Sequence, residues 1–329
     1  MFESPAYLWG TAIGMYLWLG GISGGSFVTG AVADLLSVRT ENEKRQRVYW
    51  ITARIGMAMS FFSIAVGGLI LLFHLGEPAN VIYLWLFKNP ASWMSIGVWV
   101  IIVMVLIALL QLLWLGFGKE GSYNLSLRRI DYLADFTRPR PYERLAISGV
   151  GAIMALVLVV YTALLLSEAH SVVPFWDPVL LPLLFLASGL SMGIAATVSI
   201  TAIREGVEGT GVHEFSLADD VIILAELGVL AVFLFTLSGS TGAAAVSYER
   251  LTETYALEFW GGVVVVGLLL PLVLSALLIV IERFTSIHLS HRTKTATYLV
   301  KFGFVIIGGW VLRLAVLYSA WNIPIIGTV

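Results

Sequence analysis

Eight stretches of mostly apolar residues, each long enough at about 1.5 Å per residue to cross a hydrocarbon core of roughly 30 Å, leave this chain little choice of fold. Inside lipid the backbone must satisfy its own hydrogen bonds, so apolar runs of this length become helices. The windows lie near Leu8–Leu36, Tyr49–His74, Trp93–Gly116, Leu145–Ser167, Pro178–Ile203, Ala218–Ser240, Phe259–Ile281 and Ala296–Trp321. The expected fold is all-α: one polytopic membrane bundle of about eight transmembrane helices, a single domain over residues 1–329. Composition agrees, with 12% charged residues where soluble domains carry roughly 25%. A net charge of −2 offers no case for nucleic acid.

The polar links alternate in basic charge. Arg39, Lys44, Arg45 and Arg47 lie in the first, Lys119 through Arg144 in the third, Arg204 in the fifth, and Arg283, Arg292 and Lys294 in the seventh. The intervening links carry only Lys88 and Arg250. The positive-inside rule then puts both termini on the outer, periplasmic side of a cytoplasmic membrane. The start, Met-Phe-Glu-Ser-Pro, has no basic n-region, so the first helix is expected to be retained rather than cleaved as a signal peptide. With no Cys there is no disulfide, thiolate metal site or protein-held iron–sulfur cluster to consider.

In the first helix, Gly20-Gly21-Ile22-Ser23-Gly24-Gly25 places glycines on nearly one face, a surface for close helix packing. The segment Leu71–Trp99 is rich in Pro, Gly and Trp, carries His74 and Glu77, and reads as an ordered cap at the outer boundary. The link Phe117–Arg144 reads as a solvated inner loop that touches anionic lipid. Gly206–Gly211 has part of the spacing of a phosphate loop, but it follows a membrane helix and lacks the Lys-Ser/Thr ending. It is read as a loop.

Ionisable groups inside the spans carry more information, because each costs about 2.5–3.5 kcal/mol at a helix centre and must find a partner or water. They are Arg54, Glu226, Lys301 and Arg313. Arg54 and Lys301 lie about a turn from the inner surface, where long side chains reach water. Glu226 lies about 12 Å inside its helix, deep enough to be a proton-relay candidate, and Arg313 lies about 25 Å along the last helix, in the outer third. Arg313 is placed to pair with Glu77 or to face an outer pocket.

Other unusual residues gather at the same outer end. Trp9 and Tyr16 come from the first helix, His74 and Glu77 from the cap, Tyr161 from two turns below the end of the fourth helix, and Glu168 and His170 from just beyond it. A phenol, an imidazole and a carboxylate beneath an aromatic roof suit a quinone head, which trades protons along with electrons. Two other classes stay open. One is a haem cytochrome ligated by His74 and His170, with His213, His288 and His291 left in inner loops. The other is a proton-coupled transporter or channel using Glu226 and Arg54. No metal site is expected otherwise.

Several strings stand out in order along the chain: Tyr16-Leu17-Trp18-Leu19-Gly20-Gly21, His74-Leu75-Gly76-Glu77-Pro78, Asn89-Pro90 with Ser92-Trp93-Met94-Ser95, Tyr161-Thr162-Ala163-Leu164-Leu165, and Pro174-Phe175-Trp176 with Leu181-Pro182. Phe259-Trp260-Gly261-Gly262 with Pro271, and Gly308-Gly309-Trp310-Val311-Leu312-Arg313, continue them to the last helix. Together they resemble one family, that of the NrfD/PsrC-type, polysulfide-reductase-like membrane subunits. The resemblance implies a haem-free subunit that binds menaquinone or ubiquinone near the outer face. It further implies that the subunit anchors a four-cluster iron–sulfur protein, itself joined to a molybdopterin catalytic subunit of anaerobic respiration. Within the resemblance Tyr161 matches the family's quinone-contacting tyrosine of the fourth helix, while Trp9, Thr11 and Tyr16 stand where the family has other polar residues. Family members often carry Asp at the position of His74. Glu168–Asp177 and Thr241–Phe259 would join the cap in a docking surface.

Overall fold

The structure, a computed structural model, describes residues 6–74, 92–118, 128–207, 210–284 and 290–323. Among these, eight helices are long and apolar enough to span a membrane. They are α1 (Ala6–Arg39), α2 (Glu43–His74), α3 (Trp93–Gly116), α5 (Pro141–Ser167), α6 (Leu180–Glu205), α7 (Val212–Ser238), a seventh span that changes type midway, and α10 (His291–Ser319). The seventh runs as wide π-turns over Leu257–Leu269 and as α-helix α9 over Leu270–Phe284. Pro271 lacks the N–H that would close an α-turn onto Gly267, and it lies where the wide turns end. The eight apolar windows of the sequence thus correspond, in order, to eight helical spans.

Several helices extend further toward the basic links than their apolar windows. α2 begins at Glu43, α5 at Pro141, α7 at Val212 and α10 at His291. Caps explain part of this. Glu143 accepts from the Arg140 N–H behind Pro141, and the Ser290 hydroxyl accepts from the Thr293 N–H. The basic link Phe117–Arg144 also contains a helix, α4 (Arg128–Thr137), which exposes Tyr132, Leu133 and Phe136. The terminal side adds α8 (Ala243–Glu249), prolonged by π-turns over Arg250–Thr254.

α1 and α6 form the centre of the bundle. α1 packs against α2, α5, α6 and α10, and α6 against α1, α2, α5, α7 and α10. Glycine makes this possible. A Cβ on Gly25 would collide with the Gly189 carbonyl of α6, one on Gly193 with the backbone at Gly25 and Ser26, and one on Gly24 would lie 2.7 Å from the Ala155 carbonyl of α5. The glycine face read from the first helix is this packing surface. Gly10, at φ 51°, kinks the start of α1.

An even number of crossings returns both termini to one end, here called the terminal face; the opposite end is the basic face. Three buried cations report how the bundle handles charge. At the basic face Arg144 of α5 reaches Asp34 of α1 at 2.8 Å, and Arg54 of α2 donates from Nε to the Leu115 carbonyl at 2.6 Å. That carbonyl is among the last of α3, where a helix presents orphan acceptors and partial negative charge. Arg54 also lies over the Trp50 ring at 3.8 Å. Arg54 therefore ends in protein rather than in water.

Lys301 departs from the sequence expectation in the same way. Its ammonium is fully buried, 2.7 Å from Asp220 and 3.5 Å from Asp219, instead of reaching the surface. A side chain with two carboxylates inside the bundle gains nothing by extending to the interface.

Candidate functional site

The terminal half of the bundle brings two phenols together. Tyr16 of α1 and Tyr161 of α5 are both buried, and they interact electrostatically with each other. Glycines on the neighbouring spans make room for them. The Tyr161 ring and hydroxyl occupy the place where a Cβ on Gly97 of α3 would stand, and a Cβ on Gly67 of α2 would lie 3.5 Å from the Tyr16 ring. Apart from the neighbouring Tyr161 hydroxyl, the Tyr16 hydroxyl has no polar partner. A phenol both donates and accepts, so the two together keep hydrogen-bonding capacity unused within the membrane.

Arg313 closes the region on the α10 side. It is fully buried, donates from Nη1 to Ser188 Oγ at 3.0 Å and to the Gly309 carbonyl at 2.8 Å, and from Nε to the Leu17 carbonyl at 3.4 Å. Its other terminal nitrogen faces Gly21, the residue whose missing Cβ admits it. The guanidinium lies 4.9 Å from the Phe185 ring centre, and Glu226 of α7 supplies the facing negative charge. So Arg313 binds the backbone of α1 at the residue after Tyr16, next to a carboxylate that also senses Ser188.

Of the other residues singled out in the sequence, Thr11 is joined to Tyr318 of α10 by a 2.7 Å hydrogen bond, which ties the first and last spans together. His74 ends α2 and is exposed. Glu77, the side chain of Trp9 and most of the Leu71–Trp99 cap lie outside the described residues. His170 uses Nδ1 on the Trp176 carbonyl at 3.2 Å.

The segment after α5 turns inward. Phe175 and Trp176 are fully buried, the Trp176 indole donates to the Val316 carbonyl at 3.2 Å, and the Asp177 carboxylate accepts the N–H groups of Val179 and Leu180 to start α6. Its exposed part is Glu168, Ser171 and Val172, beside the Ile323 N–H that donates to the Val172 carbonyl at 2.7 Å. Trp176 thus serves as a plug under α10, and only the rim of this segment is free for contact.

Sequence reasoning missed two acids of the half nearer the basic face, Asp219 and Asp220. Their apolar window begins at Ala218, which makes them boundary residues in the sequence. Because α7 begins at Val212, they lie two turns inside it, and Lys301 at a similar level was the signal that could have found them.

Comparison with known proteins points to one group. The family model described as polysulphide reductase, NrfD, matches residues 1–324. A protein NrfD homolog of Haemophilus influenzae is 30% identical over 325 residues, covering 97% of this chain and 96% of that protein. The C chain of polysulfide reductase from Wolinella succinogenes is 30% identical over 323 residues, covering 95% and 94%, and protein NrfD of Escherichia coli is 28% identical over 285 residues, covering 83% and 86%. With a family match over nearly its full length and eight spans in order, this multi-pass membrane protein belongs to the NrfD polysulphide reductase family.

Proposed function

We propose that the protein is the haem-free membrane subunit of a respiratory oxidoreductase of the cytoplasmic membrane, and that it handles a quinone or quinol beside Tyr161 and Tyr16. One relative is by name a single chain of a polysulfide reductase, which favours a subunit of a larger complex. The observation that carries the quinone reading is the pair of buried phenols, in which the Tyr16 hydroxyl has no polar neighbour but Tyr161 and the two rings lie against Gly67 and Gly97. The donor set fits the group: a quinone oxygen accepts from a phenol, and its hydroxyl form donates to one.

A bound quinone would supply two-electron, two-proton redox chemistry. This chain's residues orient it and manage its protons. Tyr161 and Tyr16 hold one oxygen by hydrogen bonds, while His74, at the exposed end of α2, and Glu77 exchange protons with water. Thr11, bonded to Tyr318, ties α1 to α10 at the same end of the bundle. Arg313 positions α1 through the Leu17 carbonyl and keeps the Tyr16 turn in register. The basic links argue that the terminal face is the outer one. Electrons then pass between the quinone site and a four-cluster iron–sulfur protein docked on that face, with a molybdopterin subunit beyond it.

Purification of the tagged chain from its native membrane under mild detergent tests this directly. An iron–sulfur protein is expected to copurify in about equal amount, and the complex is expected to oxidise or reduce a quinone with no haem absorption from this chain. Recovery of the chain alone, with solute counterflow in vesicles, would instead identify a transporter.

A further inference from the structure

Away from the phenols, three helices build a second polar array. α7 contributes Asp219, Asp220 and Glu226; α10 contributes Lys301 and Arg313; α6 contributes Ser188 and Ser191. Two rungs result. Nearer the terminal face, Arg313 bonds Ser188 and faces Glu226. Nearer the basic face, Lys301 lies between Asp219 and Asp220, with the Ser191 hydroxyl on Asp219 and the Ser275 hydroxyl of α9 on Asp220. Lys301 also donates to the Ser216 hydroxyl at 2.6 Å.

The rungs differ in charge. Arg313 and Glu226 balance one for one, whereas the inner rung sets one ammonium against two carboxyl groups. An unmatched carboxylate with no access to water is costly enough that such groups take up a proton instead. The structure marks where it would sit. Asp219 is fully buried; its Oδ1 accepts from Ser191, and its Oδ2, 3.5 Å from the Lys301 ammonium, is the looser of the two carboxylate contacts of that lysine. Asp220 differs: its side chain keeps 14% of its exposure, which makes it the less enclosed of the two acids. Deeper in, Asp219 and Glu226 lie two turns apart on α7 and sense each other's charge. The charged groups of the array are Lys301, Arg313, Asp219, Asp220 and Glu226; toward the basic face the same helices carry His213, bonded to Tyr298 at 3.1 Å, Glu214, paired with Arg45 at 3.2 Å, and Glu205, paired with Arg47 at 3.7 Å.

We infer that Asp219, Asp220 and Lys301 hold one exchangeable proton and form the basic-face entrance of a proton route that continues along α7 to Glu226. A proton arriving from water binds an oxygen of Asp220, moves to Asp219, and leaves toward Glu226 with the rung returning to its starting charge. Only protons move. Coupled to the quinone chemistry of the proposed function, on which this part rests, the route brings the protons of quinone reduction from the basic face, or returns those of quinol oxidation to it, and so makes turnover move charge across the membrane.

Infrared spectroscopy of the purified protein in lipid tests the proton itself, independently of any quinone reaction. The carbonyl band of a neutral carboxylic acid is expected in the wild-type chain. It should lose one carboxyl's intensity in Asp219→Asn and equally in Asp220→Asn, because either change leaves one acid matched to Lys301. In Lys301→Met it should gain one carboxyl's intensity. An unchanged band in both Asn variants overturns the inference. In proteoliposomes of the whole complex, Asp220→Asn is expected to lower the charge moved per turnover at least twofold with turnover kept within twofold. Charge movement equal to wild type, or none in the wild type, overturns the route. Absence of quinone-linked turnover in the wild type would instead count against the proposed function and leave the infrared result standing.

Discussion

Replacing Tyr161 by Phe is expected to lower quinone-linked turnover of the assembled complex on the order of a hundredfold, while reduction or oxidation of an artificial dye stays near wild type. The substitution removes one oxygen and keeps the ring that packs against Gly97, so folding should be preserved. A positioned proton donor contributes about 10²–10⁴ to a rate, and the lower end suits a phenol that shares its task with Tyr16. Tyr16→Phe should give a smaller loss in the same assay, because the ring and its fit beside Gly67 remain. Quinone-linked turnover of Tyr161→Phe equal to wild type would remove this residue from the site. The dye activity matters as much as the turnover, since it separates a damaged quinone site from a damaged complex.

The second large effect concerns the centre of the bundle. Gly193→Leu should prevent α1 and α6 from meeting, because even its Cβ would fall on the backbone of Gly25 and Ser26. Overpacking in a rigid core costs about 1–3 kcal/mol when side chains can adjust, and here the obstacle is backbone, so a loss above about 3 kcal/mol is expected. The check is the midpoint of thermal unfolding in detergent, together with the yield of folded protein. Gly228→Leu is the control: on α7 a Cβ at Gly228 meets nothing within 4 Å, and its midpoint should not move. Equal midpoints for Gly193→Leu and wild type would mean that the α1–α6 contact does not limit stability.

The number and order of the spans were legible because a bilayer sets a minimum helix length and apolar runs of that length stand out from the polar links. The glycine face of α1 was legible for a similar reason: a repeat of small residues on one side of a helix has few uses besides close approach. The depth of Glu226 and Arg313 could be counted from the helix starts, and both are buried as that depth requires.

Pairings across distant helices could not be counted. Lys301 was placed near water because only its own helix was considered, whereas its partners stand on α7, some 81 residues away in sequence for Asp220. Arg54 was misjudged for the same reason, since its acceptor is the end of α3, 61 residues away. Trp176 fell within the Glu168–Asp177 stretch expected to join a docking surface, and the structure folds it beneath α10, where the Val316 carbonyl meets its N–H. Aromatic residues near a membrane boundary satisfy both readings until a third helix is placed. α4 was hidden by its brevity: ten residues with exposed Tyr132 and Phe136 do not stand out within a basic loop.

Tyr16 and Tyr161 come from the first and fourth spans, and their meeting depends on glycines of two further spans, Gly67 and Gly97. Labelling with a photoreactive quinone analogue, followed by peptide mapping, tests that site most directly. Label on α1 and α5 around Tyr16 and Tyr161, displaced by excess quinol, is the expected result; displaceable label confined to the basic face around Lys301, or no displaceable label anywhere, would contradict a quinone site at the terminal face.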